Sequence, residues 1–395
     1  MISVGEAWEL IRSRARPLDA IDAPLSSALG RVLRCEVRAD LDSPPFDASA
    51  MDGYAARRAD LARPLRLVGE APAGTAYPGT VGRGECVRIL TGAPVPRGAD
   101  CVVKQEDATL DGGVLRVRRP DSRDFIRRRG ENRRAGAVIV PAGVMLGPPE
   151  LAALAAAGVT RPEIARPPRV AHLAAGDELV APDRVPAGAQ IRDSNSTLVA
   201  SLLARHGAAL VAQAHVGDEL AAARAAIAAM PAHDVLLLSG GAGAGERDLA
   251  RPLLAALGYE VHFDAVNLRP GKPTIFASRG PQLAIALPGN PVSHWVVFQL
   301  LVGPLLRFLQ DSREAAPARL NGRLAANAAL PPPDPRPTYW PCRAVVAGGT
   351  HELHPLPLAS SGDASGLVGA NALLPVPEPP ATLAADRLVE FIPCP

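Results

Sequence analysis

Apolar and polar positions change their rhythm several times along the chain. Ser3 and Glu6 stand three apart ahead of the first apolar run, the spacing of a capping box, and predict a helix to about Arg14. A second short helix fits Leu25–Leu33. From about Arg34 to Val140, β-prone runs at Leu65–Val68, Cys86–Leu90, Cys101–Lys104, Val114–Val117 and Ala137–Val140 alternate with Gly/Pro turns, which predicts a small β domain. A helix returns at Pro149–Ala157. Beyond Arg169, apolar runs (Val170–Ala174, Ala208–Val216, Val235–Leu238, Thr274–Ala277, Leu283–Leu287) alternate with helical stretches (Thr197–His206, Glu219–Met230, Arg247–Leu257, Val292–Leu309). Asp218 stands where it can cap the second of these helices. Such alternation means a parallel sheet covered on both faces, with ligands beyond the carboxyl ends of its strands. After Asp311 a Pro-rich stretch leads into short β-like pieces.

The expected fold class is therefore multi-domain, α/β plus β. A discontinuous helical N-terminal domain takes residues 1–33 and 141–166, and a β domain 34–140. A central doubly wound parallel α/β domain takes 167–311, and a small C-terminal β domain 312–395.

Composition narrows the class. Of 395 residues, 48% are apolar and 21% charged, which excludes a disordered chain. The net charge of +2 excludes bulk attraction to nucleic acid or membrane as the main driver. The five cysteines lie far apart without metal-ligand spacing. The N-terminus lacks the pattern of a signal peptide, and the longest apolar run, Val296–Leu309, is broken by Gln299, Gly303, Pro304 and Arg307. A cytoplasmic, soluble protein without nucleic-acid or membrane partners is the expectation. The cations are nearly all Arg; Lys occurs only at 104 and 272.

The loops after the strands hold the candidate chemistry. Val235–Leu238 leads into Ser239-Gly240-Gly241-Ala242-Gly243-Ala244-Gly245-Glu246-Arg247-Asp248. This is either a tight packing turn or an anion cradle, and it has neither dinucleotide-fingerprint nor Walker spacing. Glu246 and Asp248 suit an anion only if a divalent cation lies between. Leu283–Leu287 leads into Pro288-Gly289-Asn290-Pro291, where Asn290 fits a helix cap and Pro291 the first helical position. Arg269-Pro270-Gly271-Lys272-Pro273 is either a solvated loop or a stiff oxyanion clamp. Asp177 and Glu178, paired at a strand's carboxyl end, suit Mg²⁺ or are simple turn acids. In the β region, Phe46-Asp47-Ala48-Ser49-Ala50-Met51-Asp52-Gly53-Tyr54-Ala55 reads as a loop with two acids, and Thr91-Gly92-Ala93-Pro94 as another turn. Arg127, Arg128, Arg129, Arg133 and Arg134 form either a solvated face or forks for phosphate oxygens.

FDASAMDGYA, TGAPVP, RRRGE, GDEL, the Gly-rich loop, RPGKP and LPGNPVS, in this order, resemble the molybdopterin molybdenumtransferase family of the bacterial MoeA type, related to the gephyrin E domain. The resemblance covers essentially the whole chain. It implies an elongated homodimer that binds adenylylated molybdopterin and molybdate, transfers the molybdate to the dithiolene sulfurs and releases AMP with Mg²⁺ as cofactor. The site is implied to lie between the α/β domain of one subunit and the β domain of the other. Asp52, Thr91, Glu178, Asp218 and Asp248 then match catalytic positions, with Asp52, Glu178 and Asp248 toward the metal. Gly240, Gly241, Gly245, Arg269, Lys272, Pro288, Asn290, Pro291, Ser293, Arg127 and Arg128 match substrate-binding ones. The adenylyltransferase that supplies the substrate and downstream cofactor-handling proteins are the implied partners.

Departures from the family pattern bear on activity. Gly243 replaces a serine, Ala174-Ala175 stands where hydroxyl residues are usual, and Arg269 replaces a lysine. Asn132 replaces an acid, and Ser360-Ser361-Gly362-Asp363 takes the place of a Gly-Ser-His stretch. Up to three missing hydroxyls put up to ~4 kcal/mol of ligand affinity in question. Beside the insertase stand two alternatives: a catalytically weak pterin-binding carrier or scaffold, and a tungstate-inserting enzyme.

Overall fold

Ser3 starts the first helix, Val4–Arg14, through the expected capping box: its side chain accepts from the Glu6 N–H, and Glu6 returns a bond to the Ser3 N–H. The computed structural model describes residues 1–241, 248–326, 328, 330–332, 334–376 and 387–394. Contacts divide the chain into two units. One holds Met1–Cys35, Ala142–Leu151 and Arg161–Pro395; the other holds Glu36–Pro141 and Ala152–Thr160.

In the first unit, the expected helix Leu25–Leu33 is absent. Leu25–Ser27 make one 3₁₀ turn, Gly30 takes φ +71°, and Val32 and Leu33 form bridges with Met145 and Ile164. Long-range pairing satisfies this backbone, so helix propensity does not decide it.

The central sheet has the order Ala209–Val216, Arg169–Ala175, Val235–Ser239, Gln282–Leu287, Ile275–Arg279, Glu260–Phe263. Its first four strands are parallel, as the alternating pattern predicts. Ile275–Arg279 runs antiparallel to both of its neighbours, Gln282–Leu287 and Glu260–Phe263, so the sheet is mixed where the sequence suggested a purely parallel one. The cause is local: Gly280 and Pro281 form a two-residue hairpin, which reverses the chain with no room for a crossover helix. Glu260–Phe263, a half-exposed strand, was not evident from its short pattern.

Alternate residues of the strands feed opposite faces. Val170, Val235, Leu237 and Ile285 pack with Ile11, Leu203 and the helix Pro291–Leu309; Leu173, Leu236 and Leu238 pack with Ile227, Leu253 and Leu254. Each such buried side chain contributes roughly 1.5–3 kcal/mol. Helices on both faces make the sheet doubly wound.

Pro291–Leu309 has the length and mean hydropathy, 1.5, of a membrane span, contrary to the sequence expectation, but 89% of that stretch is buried inside the molecule. It is a core helix. It widens to a π segment at Phe298–Val302 because Pro304 has no N–H for the Leu300 carbonyl. The C-terminal strands Leu320–Leu324, Thr338–Ala347, Thr350–Pro355, Ala372–Val376 and Leu388–Pro393 close a small barrel around Cys342, Leu353, Leu374 and Phe391.

The second unit holds a six-stranded sheet in the order Cys101–Lys104, Gly53–Ala56, Glu85–Ile89, Leu65–Ala71, Val114–Val117, Ala108–Asp111. Gly53–Ala56 corrects the reading of the AMDGYA segment as a loop: its second half is an interior strand, bonded on both sides. Glycine is required at 53, where a Cβ would lie 2.0 Å from the Val103 carbonyl oxygen. Among the described residues all five cysteines are free thiols; burial pushes Cys86 up to about 11.

Candidate active site

Three loops meet at the carboxyl edge of the parallel strands. Ser239 ends its strand and hands over to Gly240, which takes φ +88° with its α-carbon so close to the next strand that a Cβ would sit 2.4 Å from the Ala175 oxygen. Only glycine meets both demands. Gly289 packs against Gly240 from the neighbouring loop. Asn195, in the first turn of the helix Asn195–Arg205, donates from Nδ2 to the Gly289 carbonyl at 2.6 Å.

The Pro288–Pro291 loop forms as its sequence predicts: Asn290 is the helix cap position and Pro291 the first helical residue. The Asn290 side chain does not cap its own helix. It donates to the Ser361 hydroxyl at 2.7 Å, while the Val292 N–H donates to the Ser361 carbonyl at 3.1 Å. The Ser360–Asp363 loop of the C-terminal region thereby becomes part of this edge. The sequence marks Ser360–Asp363 only as a departure from the family pattern; the bond between Ser361 and Asn290 is visible only in the fold. Pro288 and Ser293 are buried behind the loop and present no exposed side chain.

The register places Lys272 at the same edge. Ile275 pairs with Ala286 near the carboxyl end of its partner strand, so the segment just before Ile275 lies beyond that end. Lys272 is exposed and, among the described residues, its ammonium has no carboxylate partner. Arg269 differs from the expected free cation. Its Nη1 donates to the Pro332 carbonyl at 2.6 Å, its Nε lies 3.6 Å from Asp334, and its guanidinium covers the Trp340 ring. It clamps the C-terminal region, leaving Lys272 as the cation of this loop without a carboxylate partner among the described residues.

The acids are distributed along the edge. Asp177 accepts from the Asp218 N–H at 3.1 Å, and Glu178 is exposed beside Gly176. Asp218 is not a helix cap as expected: Glu219 holds that position, and the Asp218 side chain is exposed. Asp248 accepts from the Ala250 N–H at 3.1 Å, and burial pushes its carboxyl above the usual range. Gly243, Gly245 and Glu246 lie outside the described residues. Among those described, no three His, Cys, Asp or Glu side chains converge as a metal cluster.

Beneath the loops lies a polar network, buried at His172, Ser239 and His294 and reaching the surface at Gln213, that sequence reasoning missed. Gln213 Nε2 stands 2.9 Å from His172 Nδ1 and 3.0 Å from the Ser196 carbonyl; His172 Nε2 stands 2.6 Å from Ser239 Oγ. His294, fully buried, directs Nδ1 to the Pro288 carbonyl at 3.2 Å. Burial pushes His172 down to about 4 and His294 to about 3, so both are neutral. A His in a strand pattern carries no sign of its partners, so only the fold reveals them.

In the second unit, Asp52 Oδ1 accepts from both the Thr91 N–H and the Thr91 hydroxyl, each at 2.7 Å. The backbone bond first, then the hydroxyl, holds its carboxyl below the usual range, so Asp52 is an exposed, ionised, fixed carboxylate. Three members of the Arg run, Arg127, Arg128 and Arg129, are paired with carboxylates. Arg128 pairs with Asp47 at 2.9 Å and with Asp124, and Arg127 with Asn132 and, at 3.6 Å, with Glu131. Of the two readings of this run, solvated face or phosphate forks, the pairs show only that Arg127 and Arg128 already have protein partners, and the Arg128–Asp47 pair ties the run to the FDASA segment.

This arrangement, a glycine turn, helix entries and one free lysine on the rim of a mixed sheet, suits a phosphate-bearing or oxyanion ligand. Known proteins point the same way. Residues 2–158 match the MoeA N-terminal region (domain I and II), 171–307 a probable molybdopterin binding domain, and 323–394 the MoeA C-terminal region (domain IV). A molybdopterin molybdenumtransferase from Nostoc sp. is 36% identical over 297 residues, 72% of this chain and 68% of its own. The one from Haemophilus influenzae is 34% identical over 317 residues, 77% of this chain and 78% of its own. A crystal structure of the molybdopterin biosynthesis MoeA protein from Pyrococcus horikosii matches 100% of this chain and 99% of its own, with a TM-score of 0.81 at 26% identity. Three regions matched in order, with relatives this similar over most of both chains, establish that the chain belongs to the molybdopterin molybdenumtransferase family.

Proposed function

We propose that the protein, an enzyme of molybdenum cofactor biosynthesis, inserts molybdate into adenylylated molybdopterin and releases AMP in a Mg²⁺-dependent reaction. The observation that carries this reading is the unpaired Lys272 on the same sheet edge as the Gly240–Gly241 turn and the Asn290–Ser361 pair. A cation facing backbone donors is what a pyrophosphate and a dianion require.

The residues divide the work. Lys272 attracts the anionic substrate, and the Gly240 turn lets backbone approach it closely. Asn290 and Ser361 hold the helix entry in place. Asp52, fixed by Thr91, stays ionised and offers a hard oxygen ligand or a negative charge. The carboxylates fit Mg²⁺: burial raises the proton affinity of Asp248 even with Arg251 nearby, and Mg²⁺ ordinarily uses one or two carboxylates with substrate phosphates. When bound, the ion supplies neutralisation of phosphate charge.

The carrier reading rests on Ala175, which offers only a methyl beside Gly240, and on the captured Arg269. One assay separates the two: AMP release from adenylylated molybdopterin, with and without molybdate and Mg²⁺. Molybdate-dependent AMP release supports the insertase; substrate binding without release supports the carrier. The same reading makes the protein a homodimer, and a monomer in sedimentation at micromolar concentration would count against it.

A further inference from the structure

The polarity of the hydrogen-bonded network can be worked out atom by atom. The Ser196 carbonyl can only accept, so the Gln213 atom facing it, 3.0 Å away, is the amide nitrogen. The same nitrogen faces His172 Nδ1 at 2.9 Å and gives it the second amide proton. His172 Nδ1 is thus an acceptor, and the neutral ring carries its proton on Nε2. That proton goes to Ser239 Oγ at 2.6 Å. Ser239 therefore spends a lone pair on His172 and keeps its own proton for another acceptor. Among the described residues none is within hydrogen-bond distance of it.

Ser239 is the last residue of its strand and directly precedes the Gly240–Gly241 turn. It is 2% exposed, and His172 is fully buried, so water competes little for the bond between them. The departures around this edge, Ala174 and Ala175, remove hydroxyl donors on the adjacent strand, whose Ala174 pairs with Ser239.

We propose that Ser239 is an oriented hydroxyl donor to a substrate oxyanion at the Gly240–Gly241 turn, and that Gln213 and His172 are positioning residues that set the direction of its proton. This rests on the insertase reading for the identity of the oxyanion, which is either a phosphate of the adenylylated pterin or the molybdate.

The test uses the full-length protein and variants Ser239→Ala, Ser239→Thr and Gln213→Glu at pH 8. Gln213→Glu is nearly isosteric and lies at an exposed position. It replaces the donor with an acceptor, so His172 turns its proton to Nδ1, Nε2 becomes the acceptor, and the Ser239 proton is drawn back to His172. A packing role does not sense that reversal. Binding of adenylylated molybdopterin is measured by titration without molybdate, and half-saturation by molybdate is measured from AMP release. Thermal melts accompany both.

Ser239→Ala and Gln213→Glu should each weaken one of the two about tenfold, with melting little changed, and Ser239→Thr should recover to within about threefold. Loss in the titration assigns the pterin phosphate; loss confined to half-saturation assigns molybdate. Wild-type behaviour of Ser239→Ala in both assays overturns the proposal. So does a loss in Ser239→Ala with wild-type behaviour of Gln213→Glu, which marks a packing position. Wild-type protein that binds the pterin but releases no AMP defeats the insertase reading alone, and the titration still judges Ser239. Wild-type protein that binds no pterin defeats both.

Discussion

The Asn290 amide donates to the Ser361 hydroxyl at 2.7 Å across a sequence separation of 71 residues. The bond joins the helix entry beyond the central sheet to a loop of the C-terminal region, and the Val292 N–H reinforces it by bonding the Ser361 carbonyl. Asn290→Ala and Ser361→Ala should each weaken binding of adenylylated molybdopterin. A double-mutant cycle should show a coupling of about 1 kcal/mol. Additive effects of the two substitutions would show that the pair acts independently.

Thr91 holds Asp52 ionised through two bonds, its N–H and its hydroxyl. Thr91→Val removes only the second, so the Asp52 carboxyl should move up toward its ordinary value of 3.8. The charge is present above the folded pKa and lost as pH falls through it, so the acid limb of AMP release should shift to higher pH in this variant. Asp52→Asn should abolish AMP release at every pH while leaving the melt unchanged. Carboxyl titration by NMR and the pH–rate profile check both; AMP release by Asp52→Asn within twofold of wild type would remove Asp52 from the machinery.

Lys272 and Arg269 stand three residues apart and should respond differently. Lys272→Ala should weaken substrate binding more at low salt than at high salt, because an exposed charge is screened within ~8–10 Å at physiological ionic strength. Arg269→Ala should chiefly lower stability, since its guanidinium is spent on Pro332, Asp334 and Trp340. Binding measured at two salt concentrations, with thermal melts, distinguishes the two roles. Equal losses for Lys272→Ala at both salts would indicate packing.

Burial depresses His172 and His206 to about 4 and His294 to about 3 from the ordinary 6.5. The folded chain keeps them neutral while the unfolded chain protonates them. Their contribution is fully present above about 6.5 and is lost as pH falls toward 4 and 3. Near pH 5 unfolding should take up about three protons from this group, a slope of roughly 4 kcal/mol per pH unit. Denaturant unfolding at pH 7 and pH 5 reads this directly, and equal stabilities would contradict the assigned burial.

Gly53→Ala places a methyl 2.0 Å from the Val103 carbonyl oxygen inside the six-stranded sheet. The strand must separate from Cys101–Lys104 to admit it, at a cost of about 3 kcal/mol. A melting temperature within a degree of wild type would show that this sheet yields more easily than its register suggests.

Local spacing by itself determined much of this protein. The Ser3–Glu6 box, the Asn290-Pro291 helix entry and the apolar runs of the parallel strands depend on neighbours within a turn or on an alternation of two, so they are written where they act. The order of the AMDGYA, PGKP and LPGNPVS segments likewise sufficed to suggest the family. Tertiary structure alone decided which charges are free. Arg128 is taken by Asp47 from 81 residues away and Arg269 by Pro332 from 63, whereas Lys272 is left open. It also decided that Leu25–Leu33 pairs instead of coiling, that Gly53 lies within a sheet, and that Gln213 aims His172 at Ser239. The physical reason is common to these cases: a hydrogen bond or ion pair depends on a partner's position in space, and a partner tens of residues away leaves no mark on the local pattern.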